Sequence, residues 1–134
     1  MNPHYSETAR RANHHCEYCQ APEVVFNFPF EVEHIIPIYK NGTNDPSNLA
    51  LSCRSCNLHK GIQISGILAD TEKTIRFFNP RIDQWKKHFK VNEETGEIIG
   101  LTSIGSVTII GLKMNGKTQI YARKLWISLG LFPS

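Results

Sequence analysis

The chain has 134 residues, of which 40% are hydrophobic and 20% charged, and its formal net charge is +3 at pH 7. This length suffices for one compact domain and little more, which excludes a large multidomain enzyme. No apolar run is long enough to span a bilayer, and the first residues, MNPHYSETARR, lack the apolar core of a signal peptide. We therefore expect a cytoplasmic protein without a membrane partner, whose basic excess permits binding to a polyanion.

The first half of the chain predicts a short helix followed by a strand, a loop, a second strand and a second helix. Residues 4–14 have a helical pattern, whereas residues 23–38 are rich in β-branched and aromatic side chains and indicate extended chain. Residues 39–48 are dense in Gly, Asn, Asp and Pro, which is typical of a loop. Residues 49–52 predict a second strand, and a helix is expected to begin at about Ser55.

The four cysteines form two Cys-x-x-Cys pairs, Cys16 with Cys19 and Cys53 with Cys56. In a reducing compartment two such pairs, with no cysteine left over, favour a metal site, because Zn²⁺ prefers four thiolates in a tetrahedron. Two disulfides and a thioredoxin-type redox pair are the alternatives. A closed site of four cysteines has no open coordination position, so we expect a structural zinc ion that fastens the two pairs together.

Glu33 and His34 interrupt an otherwise apolar strand, where a buried carboxylate or imidazole is costly unless something pairs with it. Glu33 could face the first helical turn after Cys56, where Asn57 lies. Carboxylate and amide oxygens suit Mg²⁺ or Mn²⁺. Such an ion could hold the oxygen of a scissile phosphate. A bulge or twist in the strand would bring His34 to that phosphate, where it could act as a general base. The alternative is that Glu33 and His34 lie in an edge strand, or are buried with hydrogen-bond partners, and have no catalytic role.

The sequence of the second half of the chain predicts its secondary structure less clearly. Residues 77–89 mix aromatic and basic side chains, with Trp85 and Phe89 as candidate core residues, and a strand is expected near residues 97–101. Residues 103–129 allow two interpretations: a hairpin through the dipeptide Asn115-Gly116, which the propensities slightly favour, or two helices separated by it.

The ordered pattern of these motifs closely resembles the HNH endonuclease family, in the subgroup in which a four-cysteine zinc site braces a ββα-metal nuclease motif. The resemblance covers residues 16–61, about a third of the chain. It is carried by Cys16-Glu-Tyr-Cys19, Glu33-His34-Ile-Ile-Pro37, Gly42, Ser47-Asn48-Leu49-Ala50-Leu51, Cys53-Arg-Ser-Cys56-Asn57 and Lys60-Gly61.

The resemblance implies an α+β fold, with a small zinc-braced, treble-clef-like ββα core and a mainly helical C-terminal extension. Residues 1–70 would form the nuclease domain, and residues 71–134 an extension of two or more helices packed on it. The second half resembles an extension found on many bacterial HNH proteins. That likeness favours helices at 103–114 and 117–129 over the hairpin.

The resemblance also implies a role for each residue of the proposed site. His34 matches the general base, and Glu33 matches a metal ligand that is commonly the shorter Asp. Asn48 matches the residue that holds the loop and so orients His34. Asn57 matches the second metal ligand, which makes the site an all-oxygen one and favours Mg²⁺ or Mn²⁺.

The resulting hypothesis is a metal-dependent HNH endonuclease, an enzyme that hydrolyses phosphodiester bonds and leaves 5′-phosphate and 3′-hydroxyl ends. Its expected partner is nucleic acid, with double-stranded DNA favoured, and a homodimer would supply two active sites for two strands. We expect phosphate contacts from Lys60, Arg54 and His59. The alternatives are a non-catalytic nucleic-acid-binding zinc module and a protein-interaction zinc scaffold.

Overall fold

The computed structural model describes residues 2–133, in which five α-helices alternate with three two-stranded antiparallel sheets. This arrangement confirms the α+β class. The helices are α1 (Tyr5–Arg11), α2 (Arg54–Lys60), α3 (Trp85–His88), α4 (Ser103–Gly111) and α5 (Lys117–Ser128), and the strands are β1 (Glu31–His34), β2 (Leu49–Ser52), β3 (Ser65–Ile67), β4 (Thr74–Arg76), β5 (Phe89–Val91) and β6 (Ile98–Gly100).

The centre of the first half is the succession β1, β2, α2, in the order that the sequence predicts. Strand β1 pairs with β2 in an uninterrupted antiparallel register, with His34 opposite Leu49. Strand β1 is shorter than the predicted extended stretch 23–38, because Glu23–Val25 forms a 3₁₀ turn and Pro29, which cannot donate to a ladder, precedes the strand. The β1–β2 loop contains two further 3₁₀ turns, Ile38–Lys40 and Pro46–Asn48.

The second half contains two hairpins, β3–β4 and β5–β6, followed by α4 and α5. The hairpin interpretation of residues 103–129 is therefore wrong, and the two helices are confirmed. Helix α4 ends at Gly111, and Asn115, in the connection to α5, bonds with its side chain to both backbone groups of Ile98. The predicted domain boundary at residue 70 lies in the connection between β3 and β4, which pair with each other.

The two halves share one hydrophobic core. The Trp85 indole donates to the backbone carbonyl of Tyr18 at 2.7 Å, and the Gln119 amide donates to the Ser55 hydroxyl at 2.9 Å. Phe89 is almost fully buried and contacts both Trp85 and Phe78. Within residues 2–133, none of the helices has the length and apolar character needed to cross a membrane.

Candidate active site and metal centre

The four cysteines lie together in the core, at the corner between β2 and α2. Their sulfur atoms all lie within 4.8 Å of one another, and each side chain is buried. Cys53 is the N-cap of α2, and its sulfur accepts a hydrogen bond from the Cys56 amide at 3.4 Å. Cys16 and Cys19 come from the loop after α1, where the Gln20 amide closes a tight turn onto the Cys16 carbonyl.

This sulfur cluster is compatible with one zinc ion. A tetrahedron with Zn–S bonds of about 2.3 Å has sulfur–sulfur edges of about 3.8 Å, and the Cys19 and Cys53 sulfurs are 3.8 Å apart. All four cysteines are free thiols in the described chain, so the disulfide alternative is not realised there. The thiol set is the one that zinc prefers, and it leaves no ligand position for a substrate.

Glu33 lies at the inner wall of the site rather than on its surface. Its carboxylate accepts a hydrogen bond from the Tyr18 hydroxyl and lies 3.1 Å from the Lys60 ammonium, and its side chain is only 5% exposed. Burial raises the pKa of the Glu33 carboxyl, while the Lys60 charge and the Tyr18 hydroxyl oppose that rise. Burial beside this carboxylate also raises the pKa of Tyr18. Lys60 and Tyr18 thus provide the partners that a buried carboxylate requires.

His34 is the last residue of β1, and its ring is held by the loop that follows. Its Nε2 lies 2.7 Å from the side-chain oxygen of Asn44, which can only accept. In the neutral imidazole this contact places the proton on Nε2 and leaves the lone pair on Nδ1. The register of β1 is regular through His34, which lies opposite Leu49, so the bulge that the sequence led us to consider is absent.

Asn48 clamps the β1–β2 loop with its side-chain amide. Its oxygen accepts from the Ile36 amide at 2.8 Å, and its nitrogen donates to the carbonyls of Ile36 and Thr43, each at 2.9 Å. The residue is buried, so these contacts leave no face for a substrate. Because Thr43 precedes Asn44, the clamp also fixes the residue that holds the His34 ring.

Asn57 is the fourth residue of α2, and its side-chain nitrogen donates to the carboxylate of Glu31. Its side-chain oxygen is the atom that suits a hard cation. Glu31 is a site residue that our sequence analysis missed. The signal was available, because Glu31 and Glu33 are two residues apart and therefore lie on the same face of β1.

One open cleft, with a volume of about 370 Å³, is lined by three of the four predicted catalytic residues, and Asn48 is not among its lining residues. Glu33, His34 and Asn57 all line it, although they come from β1 and α2, between which lie the loop 35–48 and strand β2. Carboxylate and amide oxygens are ligands that Mg²⁺ and Mn²⁺ accept, so the donor set at this cleft fits such an ion. Lys60 would share the Glu33 carboxylate with it.

The three predicted phosphate contacts are placed differently from one another. The Arg54 side chain is 82% exposed and lies 3.7 Å from Glu31, so its guanidinium faces solvent. His59 is half-buried, with Nδ1 3.5 Å from the Ser55 hydroxyl. Lys60 is only 2% exposed and donates to backbone carbonyls of β1, so the expected surface phosphate contact does not fit its position.

The missed residue Asn44 had no distinguishing signal, because it stands among turn-forming residues in the stretch NGTNDPSN and was interpreted as one of them. The chain gives no significant match to a curated protein or to a solved structure. Residues 16–63, about a third of the chain, match the family model described as HNH endonuclease. That match covers the thiol cluster and the whole cleft, and it confirms the resemblance to HNH endonucleases over this segment.

Proposed function

We propose that this chain is a metal-dependent HNH endonuclease that hydrolyses phosphodiester bonds, with DNA as its substrate. The observation that carries the proposal is the single cleft lined by Glu33, His34 and Asn57, beside a cluster of four thiols. The family match over residues 16–63 supports a nuclease-type function on nucleic acid.

In this proposal His34 is the general base. Because the Asn44 side-chain oxygen accepts a hydrogen bond from Nε2–H, the free lone pair on Nδ1 can take a proton from a water molecule in the cleft. The resulting hydroxide attacks phosphorus and the bond from phosphorus to the 3′ oxygen breaks. The departing 3′ oxygen takes a proton from water to become a 3′-hydroxyl, and the phosphate stays on the 5′ oxygen. The Asn48 clamp keeps the loop, and thus Asn44, in the position that this tautomer requires.

The carboxylate of Glu33 and the amide oxygen of Asn57 would hold the catalytic cation. When bound there, Mg²⁺ or Mn²⁺ supplies positive charge to the phosphate oxygens and to the departing oxygen. The separate sulfur cluster would hold zinc only as a brace, since a closed site cannot activate water.

One observation favours the alternative of a non-catalytic nucleic-acid-binding zinc module. Lys60 already neutralises Glu33 in a nearly dry environment, so a dication must compete with an ion pair for that carboxylate. In the alternative, the pair is purely structural and the exposed Arg54 is part of a binding surface.

Plasmid cleavage separates the two functions. The zinc-loaded protein, dialysed free of other divalent ions, is incubated with supercoiled plasmid in buffer alone, with Mg²⁺ and with Mn²⁺. We expect nicked or linear product only with added Mg²⁺ or Mn²⁺, and a rate at least 10-fold lower for Asn57→Ala.

The matched control is His4→Ala, which removes an exposed histidine that does not line the cleft. It should cleave like the unaltered protein. Plasmid binding without cleavage under any metal would instead support the non-catalytic module, and cleavage without an added cation would contradict the mechanism.

A further inference from the structure

One wall of the cleft is apolar and exposed, which is unusual next to groups that act on a phosphate. Within the described residues that line the cleft, neither lysine nor arginine occurs. Instead, Tyr39 is 80% exposed, Ile62 is 57% exposed and Ile38 is 54% exposed. We call these three residues, with the buried Pro37, the apolar wall.

The apolar wall has a fixed position relative to His34. Tyr39 is the middle residue of the 3₁₀ turn Ile38–Lys40, which begins four residues after His34. The amides of Lys40 and Gly42 both donate to the Pro37 carbonyl, at 2.8 and 2.9 Å. A side chain at position 42 would lie 1.7 Å from the Ile36 carbonyl oxygen, so only glycine allows this tight return of the chain.

An exposed aromatic ring on a rigid turn is suited to base stacking. Bases in a relaxed duplex are already stacked on their neighbours, whereas the bases of an unpaired strand offer a free face to aromatic and apolar side chains. A surface that contacted only phosphate would carry lysine or arginine side chains, and the apolar wall has neither. The wall chemistry therefore matches a nucleobase more closely than it matches a backbone phosphate.

We infer that the apolar wall, with Tyr39 at its rim, binds an unstacked nucleobase next to the phosphate presented to His34, so that the substrate is a DNA strand with unpaired bases. This inference rests on the proposed function and narrows its substrate class. It replaces the expectation of fully paired duplex by single strands and locally opened duplex.

The kinetic test compares a single-stranded oligonucleotide with its own duplex. The unaltered protein should cleave the single strand with a kcat/KM at least 10-fold higher. Tyr39→Ala should raise KM for the single strand by roughly 5- to 150-fold, the loss expected for one stacked base, and leave kcat nearly unchanged. Tyr39→Phe should retain the low KM, because it removes the hydroxyl and keeps the ring.

Tyr121→Ala is the matched control, since it removes another exposed tyrosine, 68% exposed, that does not line the cleft. It should leave KM unchanged. Equal cleavage of single strand and duplex, or an unchanged KM in Tyr39→Ala, overturns the inference.

A binding readout makes this test independent of catalysis. His34→Ala protein is titrated into single-stranded DNA that contains 2-aminopurine, whose fluorescence falls when the base stacks on an aromatic ring. Quenching that disappears in His34→Ala/Tyr39→Ala supports the inference, and equal quenching in both proteins contradicts it. Failure of the proposed function is distinguished from this, because the unaltered protein would then cleave neither substrate with any metal.

Discussion

The Lys60 ammonium lies 3.1 Å from the Glu33 carboxylate, and both side chains are at least 95% buried. The same ammonium donates to the carbonyls of His34 and Ile35, at 3.3 and 3.0 Å. Lys60 thus ties the last turn of α2 to the end of β1, directly beside the proposed base. Lys60 therefore holds the elements that line the cleft together from the protein interior, and it does not contact a phosphate at the surface.

Breaking this ion pair should lower the stability of the folded protein. Lys60→Met leaves the Glu33 charge buried and only partly compensated by Tyr18, so the free energy of unfolding should fall by about 3–5 kcal/mol. Urea unfolding followed by circular dichroism measures it. Lys86→Met, at an exposed lysine of α3, should change it by less than about 0.5 kcal/mol.

The double variant Lys60→Met/Glu33→Gln completes a thermodynamic cycle. Because the second change removes the uncompensated charge, the double variant should lose clearly less stability than the sum of the single variants. Strictly additive losses would show that the two groups do not interact as their geometry indicates.

Asn44 should control the tautomer of His34. Asn44→Ala removes the acceptor for the Nε2 proton, so the cleavage rate should fall about 10- to 100-fold, the usual effect of losing such a positioning partner. Asn44→Asp keeps an acceptor and should retain most of the activity. Its negative charge favours the imidazolium, so the acid limb of the pH–rate profile should move to higher pH. Identical pH–rate profiles for the Asp variant and the unaltered protein would contradict this role.

The thiol cluster should hold one zinc ion that the fold needs. Structural zinc contributes an apparent 10–16 kcal/mol in zinc-finger peptides, compared with a typical total stability of about 5–15 kcal/mol. We expect one zinc per chain by mass spectrometry and loss of the cooperative thermal transition in Cys53→Ser. Thiol titration of the denatured, metal-free protein should find four reactive cysteines, whereas disulfides would leave none.

Asp83 should make stability depend on pH in the acid range. Its carboxylate accepts from the Arg76 guanidinium at 2.7 and 2.9 Å and from the Asn79 amide at 2.9 Å. The Arg76 hydrogen bonds hold the pKa of Asp83 below its ordinary value, against a smaller effect of burial. A carboxyl with a lowered pKa stabilises the fold above its unfolded pKa of about 3.9. This contribution is lost as the pH falls through the folded value.

Asp83→Asn therefore tests that dependence. The unaltered protein should exceed the variant in unfolding free energy by about 1 kcal/mol at pH 5, a modest figure because Arg76 is half exposed. This advantage should shrink as the pH falls toward 3. The exposed Asp70→Asn should show no such trend, and a difference that is constant down to pH 3 would exclude the mechanism.

Cysteine spacing and the order of strands and helix made the core of this fold predictable. Two Cys-x-x-Cys pairs and short apolar segments of this kind are compatible with few other structures. The helices α4 and α5 were harder to predict. Their β-branched residues and the Asn115-Gly116 dipeptide favour a hairpin locally, but Asn115 bonds to Ile98 of another hairpin instead. Propensity within a segment carries no information about such a distant partner.

The candidate site was predictable to the same extent. Residue type drew attention to Glu33, His34 and Asn57, the resemblance to HNH endonucleases implied their roles, and all three line one cleft. The burial of Lys60 was not predictable, since a lysine at the end of a helix is ordinarily exposed. Lys60 pairs with the Glu33 carboxylate, which also accepts from the Tyr18 hydroxyl, and these three residues meet only in the folded chain.

The central claim is that His34 activates water for phosphodiester hydrolysis in this cleft. The most direct measurement is the initial rate of DNA cleavage by His34→Ala relative to the unaltered protein, at equal zinc content, equal unfolding midpoint and saturating Mg²⁺. Loss of a general base should lower the rate by about 10²- to 10⁴-fold. A His34→Ala rate within a few-fold of that of the unaltered protein would contradict the account.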